Sequence, residues 1–287
     1  MSELQIPAPV QSNHHWRRRV IEIVSVLVVL VIWQGIIKRP TGPEFGNTLH
    51  AVAAPLPPAV GPTLRVSTFN INGGVGPDEN VLDLSRTAKY LHGFDVVGMQ
   101  EVHGAAIEDW RDQAQILGET LHMPWLFAPS ERRWWHDYFG NGILSDLPVT
   151  RWERLPLSTS QSESNRSMLR VFCIWHGHPL AVIVTHLDRH ADHDIELGAV
   201  IASFYDTPAP VVLLADLNVD ADPNDPQLGQ LRSDPTVTDA LGVVMGKTLT
   251  KSNDWIFARG LKCVAGGLTD DDASDHKLAW ADLAEQN

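Results

Sequence analysis

Short apolar runs of β type recur along this chain, and each breaks on a polar residue able to do chemistry. Residues 64–69 end at Asn70, 95–99 at Gln100-Glu101, 180–185 at His186, and 211–215 at Asp216-Leu217-Asn218. Runs this short, rich in Val, Ile and Leu and closed by turn residues, read as buried strands. Strands laid side by side bring their ends to one edge of a sheet. A fold that aligns these ends therefore gathers Asn70, Glu101, His186, Asp216 and Asn218. Asn141, Asp254 and Ser274-Asp275-His276 lie in or beside further apolar runs and can join the same edge.

Between the strands, residues 81–91, 105–121 and 194–204 fit helices. Residues 125–127 and 142–144 are strand-like, with Arg132-Arg133-Trp134-Trp135-His136 in the loop between them. Residues 168–175 and 180–185 predict a hairpin across His176-Gly177-His178. Residues 254–257 and 261–264 predict another across Arg259-Gly260, and 276–280 a last strand. No repeat of solenoid period is present. Many strands with a few interspersed helices predict packed sheets covered by helices, an α/β fold.

The amino-terminal part is of another kind. Residues 20–37 are almost wholly apolar, and their length as a helix is about 27 Å, close to one bilayer core. Arg17, Arg18 and Arg19 precede the run, and Lys38 and Arg39 follow it. The excess before the span favours a cytoplasmic amino terminus. Trp16 and Trp33 suit the two interfaces. The expected organisation is a cytoplasmic segment 1–19, a transmembrane helix 20–37, a Pro/Gly/Ala-rich linker 38–63 that reads as an extended tether, and a catalytic domain 64–287. That is a single-pass protein of a bacterial-type inner membrane, its catalytic domain extracytoplasmic. Two competing readings stand beside it. One is an export signal, cleaved at Ala51-Val52-Ala53 or of twin-arginine type. The other is a buried core helix.

Charge separates the two parts as well. Residues 1–46 hold five basic and three acidic side chains, so the remainder carries 17 basic and 32 acidic, a balance of −15. Such a domain lacks the basic footprint of a protein that grips long nucleic acid. Cys173 and Cys263 match no zinc-ligand spacing, and both sit in apolar runs as buried thiols do. No protein partner is evident.

The strand-end residues carry a coherent chemistry. Glu101 follows an apolar strand with no Lys or Arg near it in sequence, which suits a hard cation such as Mg²⁺. Asn70 can orient the metal or hold a phosphate oxygen. Asp216 and Asn218, two apart in an extended segment, point the same way. Asp216 can align or deprotonate a water, and Asn218 can donate to phosphoryl oxygens. Asp275 can contribute to metal binding. His276 can stabilise a pentavalent phosphate, and His186 can protonate the leaving oxygen. A cation, a water and proton donors are what metal-assisted phosphoryl transfer needs. Singly, each residue also has an ordinary structural reading, as a turn former or a core histidine.

The order of the motifs resembles the endonuclease/exonuclease/phosphatase superfamily over about residues 64–284. It rests on Thr68-Phe69-Asn70-Ile71, Gln100-Glu101-Val102, Gly140-Asn141-Gly142-Ile143-Leu144-Ser145, Thr185-His186-Leu187-Asp188, Ala215-Asp216-Leu217-Asn218, Asn253-Asp254-Trp255-Ile256-Phe257 and Ser274-Asp275-His276. The resemblance implies a four-layer α/β/β/α sandwich with its site at one edge. It implies a Mg²⁺- or Mn²⁺-dependent phosphodiester hydrolase, nuclease-like, with a lipid or small-molecule phosphodiesterase or phosphatase as the alternative and a non-catalytic binding domain as the remoter one. The substrate would be nucleic acid or a lipid headgroup. It implies Glu101 as principal metal ligand, Asn70 and Asp275 assisting, Asp254 beside His276, and Asn141 at substrate. Arg166 falls where members place a basic residue on the incoming strand. Trp134 and Trp135 are expected to contact substrate by stacking a base or entering lipid headgroups. There are departures. Ser145 is followed by Asp146 where the family often has Arg, and Ala215 and Leu217 stand in a motif that commonly reads Gly-Asp-Phe-Asn.

Overall fold

The computed structural model describes residues 14–53, 61–77, 81–105, 109–134, 136–157, 164–219, 226–246, 252–270 and 272–286. In chain order, α1 (His14–Ile36) is followed by β1 (Arg39–Pro40), β2 (Glu44–Gly46), β3 (Leu64–Asn70), α2 (Leu84–Tyr90), β4 (Val96–His103) and α3 (Gln113–Leu121). Next come β5 (Trp125–Arg133), β6 (His136–Ser145), β7 (Val149–Pro156), β8 (Ser167–Trp175), β9 (His178–His186), α4 (His193–Asp206) and β10 (Val211–Asp216). The remainder is α5 (Pro226–Ser233), β11 (Val237–Asp239), α6 (Ala240–Met245), β12 (Asp254–Arg259), β13 (Leu261–Thr269) and β14 (Leu278–Glu285).

The strands form two seven-stranded sheets, ordered β1-β5-β6-β4-β3-β14-β13 and β11-β12-β10-β9-β8-β7-β2. Alternation decides which side chains meet between them. Leu64 and Val66 of β3 and Val96 of β4 join the core that faces the second sheet, with Leu169, Val184 and Leu214. Phe69, Val97 and Met99 turn the other way, beneath Leu84 of α2 and Leu117 of α3. Each large side chain buried in this way contributes about 1.5–3 kcal/mol. The sheets approach so closely at Gly98 that a Cβ there would lie 2.9 Å from Leu214 and 3.2 Å from Val184. On the outer side of the second sheet, Leu197, Val200 and Phe204 of α4 and Leu228 and Leu231 of α5 complete the core. Helix, sheet, sheet and helix are the four layers expected.

Two local expectations change. β12 and β13 are no hairpin. β12 is flanked by β10 and β11 in the second sheet, so it has no free edge to offer. The chain turns at Gly260 (φ 75°) and crosses to the first sheet, where β13 pairs with β14. The linker is likewise more than a tether. Arg39 pairs opposite Arg132 of β5, and Phe45 opposite Glu153 of β7. His50 stacks on Trp125 at 4.3 Å between ring centroids, and Val52 is buried in the outer core of the first sheet. β5 and β7 would otherwise be sheet edges with unpaired backbone groups, and the linker satisfies them. Residues 54–60 lie outside the described ones.

α1 stands clear of the domain. It is long and apolar enough to cross a membrane, and only 6% of its apolar window is buried, which sets aside the core-helix reading. Its carboxyl end touches the domain. The Arg133 guanidinium donates to the Gly35 carbonyl, and the Trp134 amide to that of Gln34 at 3.5 Å. Any side chain at Gly35 would collide with the Trp134 ring.

Candidate active site

The register of the second sheet sets three site residues in one row. Parallel pairing places Asp216 of β10 beside His186 of β9, and antiparallel pairing places it opposite Asp254 of β12. In the first sheet, Asn70 of β3 lies beside Gln100 of β4. The two rows meet across the sandwich: Asn70 Nδ2 donates to Asp216 Oδ2 at 2.9 Å and to Glu101 Oε1 at 3.0 Å.

Glu101 reaches this place through an irregularity. Simple alternation would send it to the helix side with Val97 and Met99. The register of β4 against β6 shifts between Met99 and Val102, and Glu101 has φ +55°. A bulge of this kind re-aims one side chain at the cost of local strain. Asn218, at φ +50°, turns the chain after β10, and its amide N–H donates to Asp216 Oδ1 at 3.0 Å.

The Ser274-Asp275-His276 loop is stapled to β3. Ser274 Oγ donates to the Asn70 carbonyl at 2.7 Å and accepts from the His276 amide at 3.1 Å. His276 Nδ1 bonds Asp254 Oδ2 at 2.8 Å and stands 3.8 Å from Asp216 Oδ2. Burial pulls the His276 imidazole down. The hydrogen bond to Asp254 and the charges of Asp254, Asp216 and Asp275 outweigh this and hold it at about 9. His276 is thus an imidazolium at neutral pH. With Asp275 it lines a cleft of about 280 Å³.

His186 is of the opposite kind. Burial first, then Arg166, His276 and Arg189, hold it well below the usual imidazole range. Arg166 Nη1 lies 2.9 Å from Nδ1, which must accept because a guanidinium only donates. Nε2 faces Asp216 Oδ2 at 3.4 Å and the Asn218 side-chain nitrogen at 3.1 Å. Both ring nitrogens are thus engaged, Nδ1 by Arg166 and Nε2 by Asp216 and Asn218.

The sequence-predicted residues separate accordingly. Asn70, Glu101, His186, Asp216, Asn218, Asp254 and His276 form one hydrogen-bonded cluster, with Asp275 exposed at its border. Arg166 joins it through His186. Asn141, expected at substrate, is buried, and its amide donates to the Ser167 carbonyl between the two sheets. Trp134 forms the β5–β6 turn against α1. Trp135 lies outside the described residues. Three further residues enter. Arg189 Nε donates to Asn218 Oδ1 at 3.1 Å. The His103 and Phe139 rings lie 5.8 Å apart, and Phe139 is 6.4 Å from His186. Arg189 follows a recognised strand end by three residues, which is the only sequence signal for it.

The donors fit a divalent cation. Glu101 and Asp216 share one amide, and among the described residues neither has a Lys or Arg ion-pair partner. Asp254 Oδ1 is buried without a hydrogen-bond partner. Asp216, Asp254 and His276 also place ligand atoms within 4.8 Å of one another. His276 Nδ1 is already committed to Asp254, so the all-oxygen side at Glu101 is the better match for a hard ion.

Fold and site together define the class: a four-layer sandwich hydrolase with its site at one sheet edge. The chain belongs to the Endonuclease/Exonuclease/phosphatase family, whose model matches residues 67–276. Members of this family are metal-dependent hydrolases, and the chain is an enzyme of that kind. Similar solved structures include an endonuclease/exonuclease/phosphatase from Beutenbergia cavernae, 24% identical, with TM-score 0.65, covering 79% of this chain and 72% of that one. A humanised D. rerio TDP2 is 20% identical, with TM-score 0.58 and coverage of 78% and 99%. Sphingomyelinase C from Streptomyces griseocarneus is 17% identical, with TM-score 0.53 and coverage of 77% and 99%. At these identities the likeness is one of fold. A search of curated proteins found no match.

Proposed function

We propose that this protein is a membrane-anchored, Mg²⁺- or Mn²⁺-dependent phosphodiester hydrolase whose catalytic domain lies outside the cytoplasm. The observation that carries the chemistry is the contact of the two rows, Asn70–Glu101 against His186–Asp216–Asp254, with the His276 imidazolium beside them. Glu101 holds the cation, assisted by Asn70 and Asp275. When bound, the cation supplies positive charge to the phosphoryl oxygens. Asp216 is a buried carboxylate with raised proton affinity, the quality a general base for water requires. His276, fixed at Nδ1 by Asp254, keeps Nε2–H for a phosphoryl oxygen, where its charge favours the transition state. Asn218 and the guanidiniums of Arg166 and Arg189 surround His186 and add positive field.

The apolar, exposed α1 and the arginines before it support the anchor and its orientation. Cleavage after Ala53 is disfavoured physically, because it would strip β1, β2 and Val52 from the domain.

The test is hydrolysis of bis-p-nitrophenyl phosphate, single-stranded DNA, duplex DNA and RNA by the full chain, with Mg²⁺, Mn²⁺ or chelator. Metal-dependent turnover lost in His276→Ala is expected. Equal turnover in chelator would refute the metal reading, and equal turnover in the variant would refute the site.

A further inference from the structure

This chemistry leaves unused a cavity of about 650 Å³ walled by His103, Leu84, Ile116, Tyr138, Arg133 and Trp134. It adjoins the catalytic cluster. His103 lies two residues beyond Glu101 on β4, about 7 Å along a strand. Its ring meets Phe139, which in turn meets His186. Gln113 closes the floor, donating to the Gly73 carbonyl and accepting from the His103 amide at 2.9 Å.

The cavity also adjoins α1. Two of its wall residues, Arg133 and Trp134, are the ones bonded to Gly35 and Gln34 at the carboxyl end of the apolar helix. That end carries Trp33 and Ile36, both exposed. The apolar exposure continues onto the domain around the cavity. Leu82 is 59% exposed and Trp110 84% exposed; Leu82 lines the cavity, and Trp110 stands between the lining residues Asp109 and Arg111. Tryptophans at a helix end and on an adjoining surface sit at the level of lipid headgroups. An exposed apolar rim continuous with a membrane span meets the bilayer.

We propose that the substrate is a membrane lipid phosphodiester, its apolar end entering this cavity from the bilayer that α1 spans and its phosphate reaching Glu101 and His276. Water then bonds to phosphorus, the bond to one ester oxygen breaks, and that oxygen takes a proton, giving a phosphomonoester and an alcohol. The inference rests on the membrane-anchored hydrolase proposed above.

The experiment reconstitutes the full chain in vesicles of mixed phosphatidylcholine, phosphatidylethanolamine, phosphatidylglycerol and sphingomyelin with Mg²⁺ and Mn²⁺. Lipid cleavage products and bis-p-nitrophenyl phosphate hydrolysis are measured on the same preparation, for wild type, Leu82→Asp and Trp110→Asp. Cleavage of at least one lipid is expected, falling about ten-fold in each variant, the factor that burying one such side chain supplies. Hydrolysis of the soluble ester should stay within about two-fold. Soluble-ester turnover without any lipid cleavage overturns the inference and leaves the hydrolase reading intact. So does lipid cleavage that neither variant lowers. Faster cleavage of added single-stranded DNA, itself reduced by both variants, reassigns the cavity to nucleobases. Absence of soluble-ester turnover with either metal overturns the hydrolase reading itself.

Discussion

Glu101 occupies a position that strand alternation alone would have turned toward the helices. Its place beside Asn70 depends on the β4 bulge and a positive φ, so a carboxylate is held there against local preference. Glu101→Gln keeps an acceptor for the Asn70 amide while removing the charge. Turnover and Mn²⁺ affinity, read by titration calorimetry, are expected to fall at least about 100-fold, beyond the 10–100-fold that an outer-shell partner costs. Unchanged affinity would move the cation elsewhere. Glu196 poses a different question. It is buried, one carboxylate oxygen accepts from the Asp188 amide at 2.7 Å, and the other has no hydrogen-bond partner. Burial, with the charges of Asp188 and Asp192, raises its pKa to about 7 against an ordinary 4.5. A raised carboxylate stabilises the fold when protonated, so its contribution is present below pH 4.5 and is lost as pH rises through 7. Glu196→Gln should flatten the thermal midpoint over that window and raise it by about 2–4 °C at pH 8. The clustered residues were legible at this scale because each ends or borders an apolar run. Arg189, His103 and Phe139 were not, since nothing local marks a residue whose partner lies on another strand.

Elements bring those residues together, and the sequence exposed them unevenly. The strands β3, β4, β9 and β10 are buried on both faces, so their apolar runs stood out and their ends could be read directly. β1 and β2 hold two and three residues and exist only because β5 and β7 leave edges to cover; no propensity announces them. The same dependence on neighbours turned the expected β12–β13 hairpin into a crossing between sheets. Two element-scale predictions follow from this dependence. Val52→Asp places a charge in the core under β5 and should lower stability by about 2 kcal/mol or more, roughly 5 °C in the thermal midpoint. An unchanged midpoint would mean the linker contributes little. Ser274→Ala removes the hydroxyl that ties the His276 loop to β3 through the Asn70 carbonyl and that accepts from the His276 amide. Bis-p-nitrophenyl phosphate turnover should fall about 10–100-fold, as for other outer-shell partners, with Ser274→Thr recovering most of it. Equal activity in both variants would show that His276 is held by Asp254 alone.

At the scale of the molecule, charge and anchor work against each other unless the chain is held in the bilayer. The part after residue 46 carries a balance of −15, and an anionic leaflet repels such a body over a Debye length of about 8 Å at physiological salt. Surface attraction therefore cannot keep the domain at a membrane; the apolar length of α1 can. With α1 spanning a bilayer, as proposed, the contacts of Arg133, Trp134 and Lys38 with or beside its end would hold the domain close to the lipid instead of leaving it on a loose tether. Peripheral binding and spanning predict different outcomes. A spanning α1 retains the protein in the membrane pellet through washes at high salt and at alkaline pH, at the full mass of 31.7 kDa. A cleaved signal would release a shorter chain, its amino terminus following Ala53, and that chain would lack the strands that close β5 and β7. Amino-terminal sequencing of the washed protein separates the two, and a terminus beyond residue 53 would remove both the anchor and the argument for a lipid substrate.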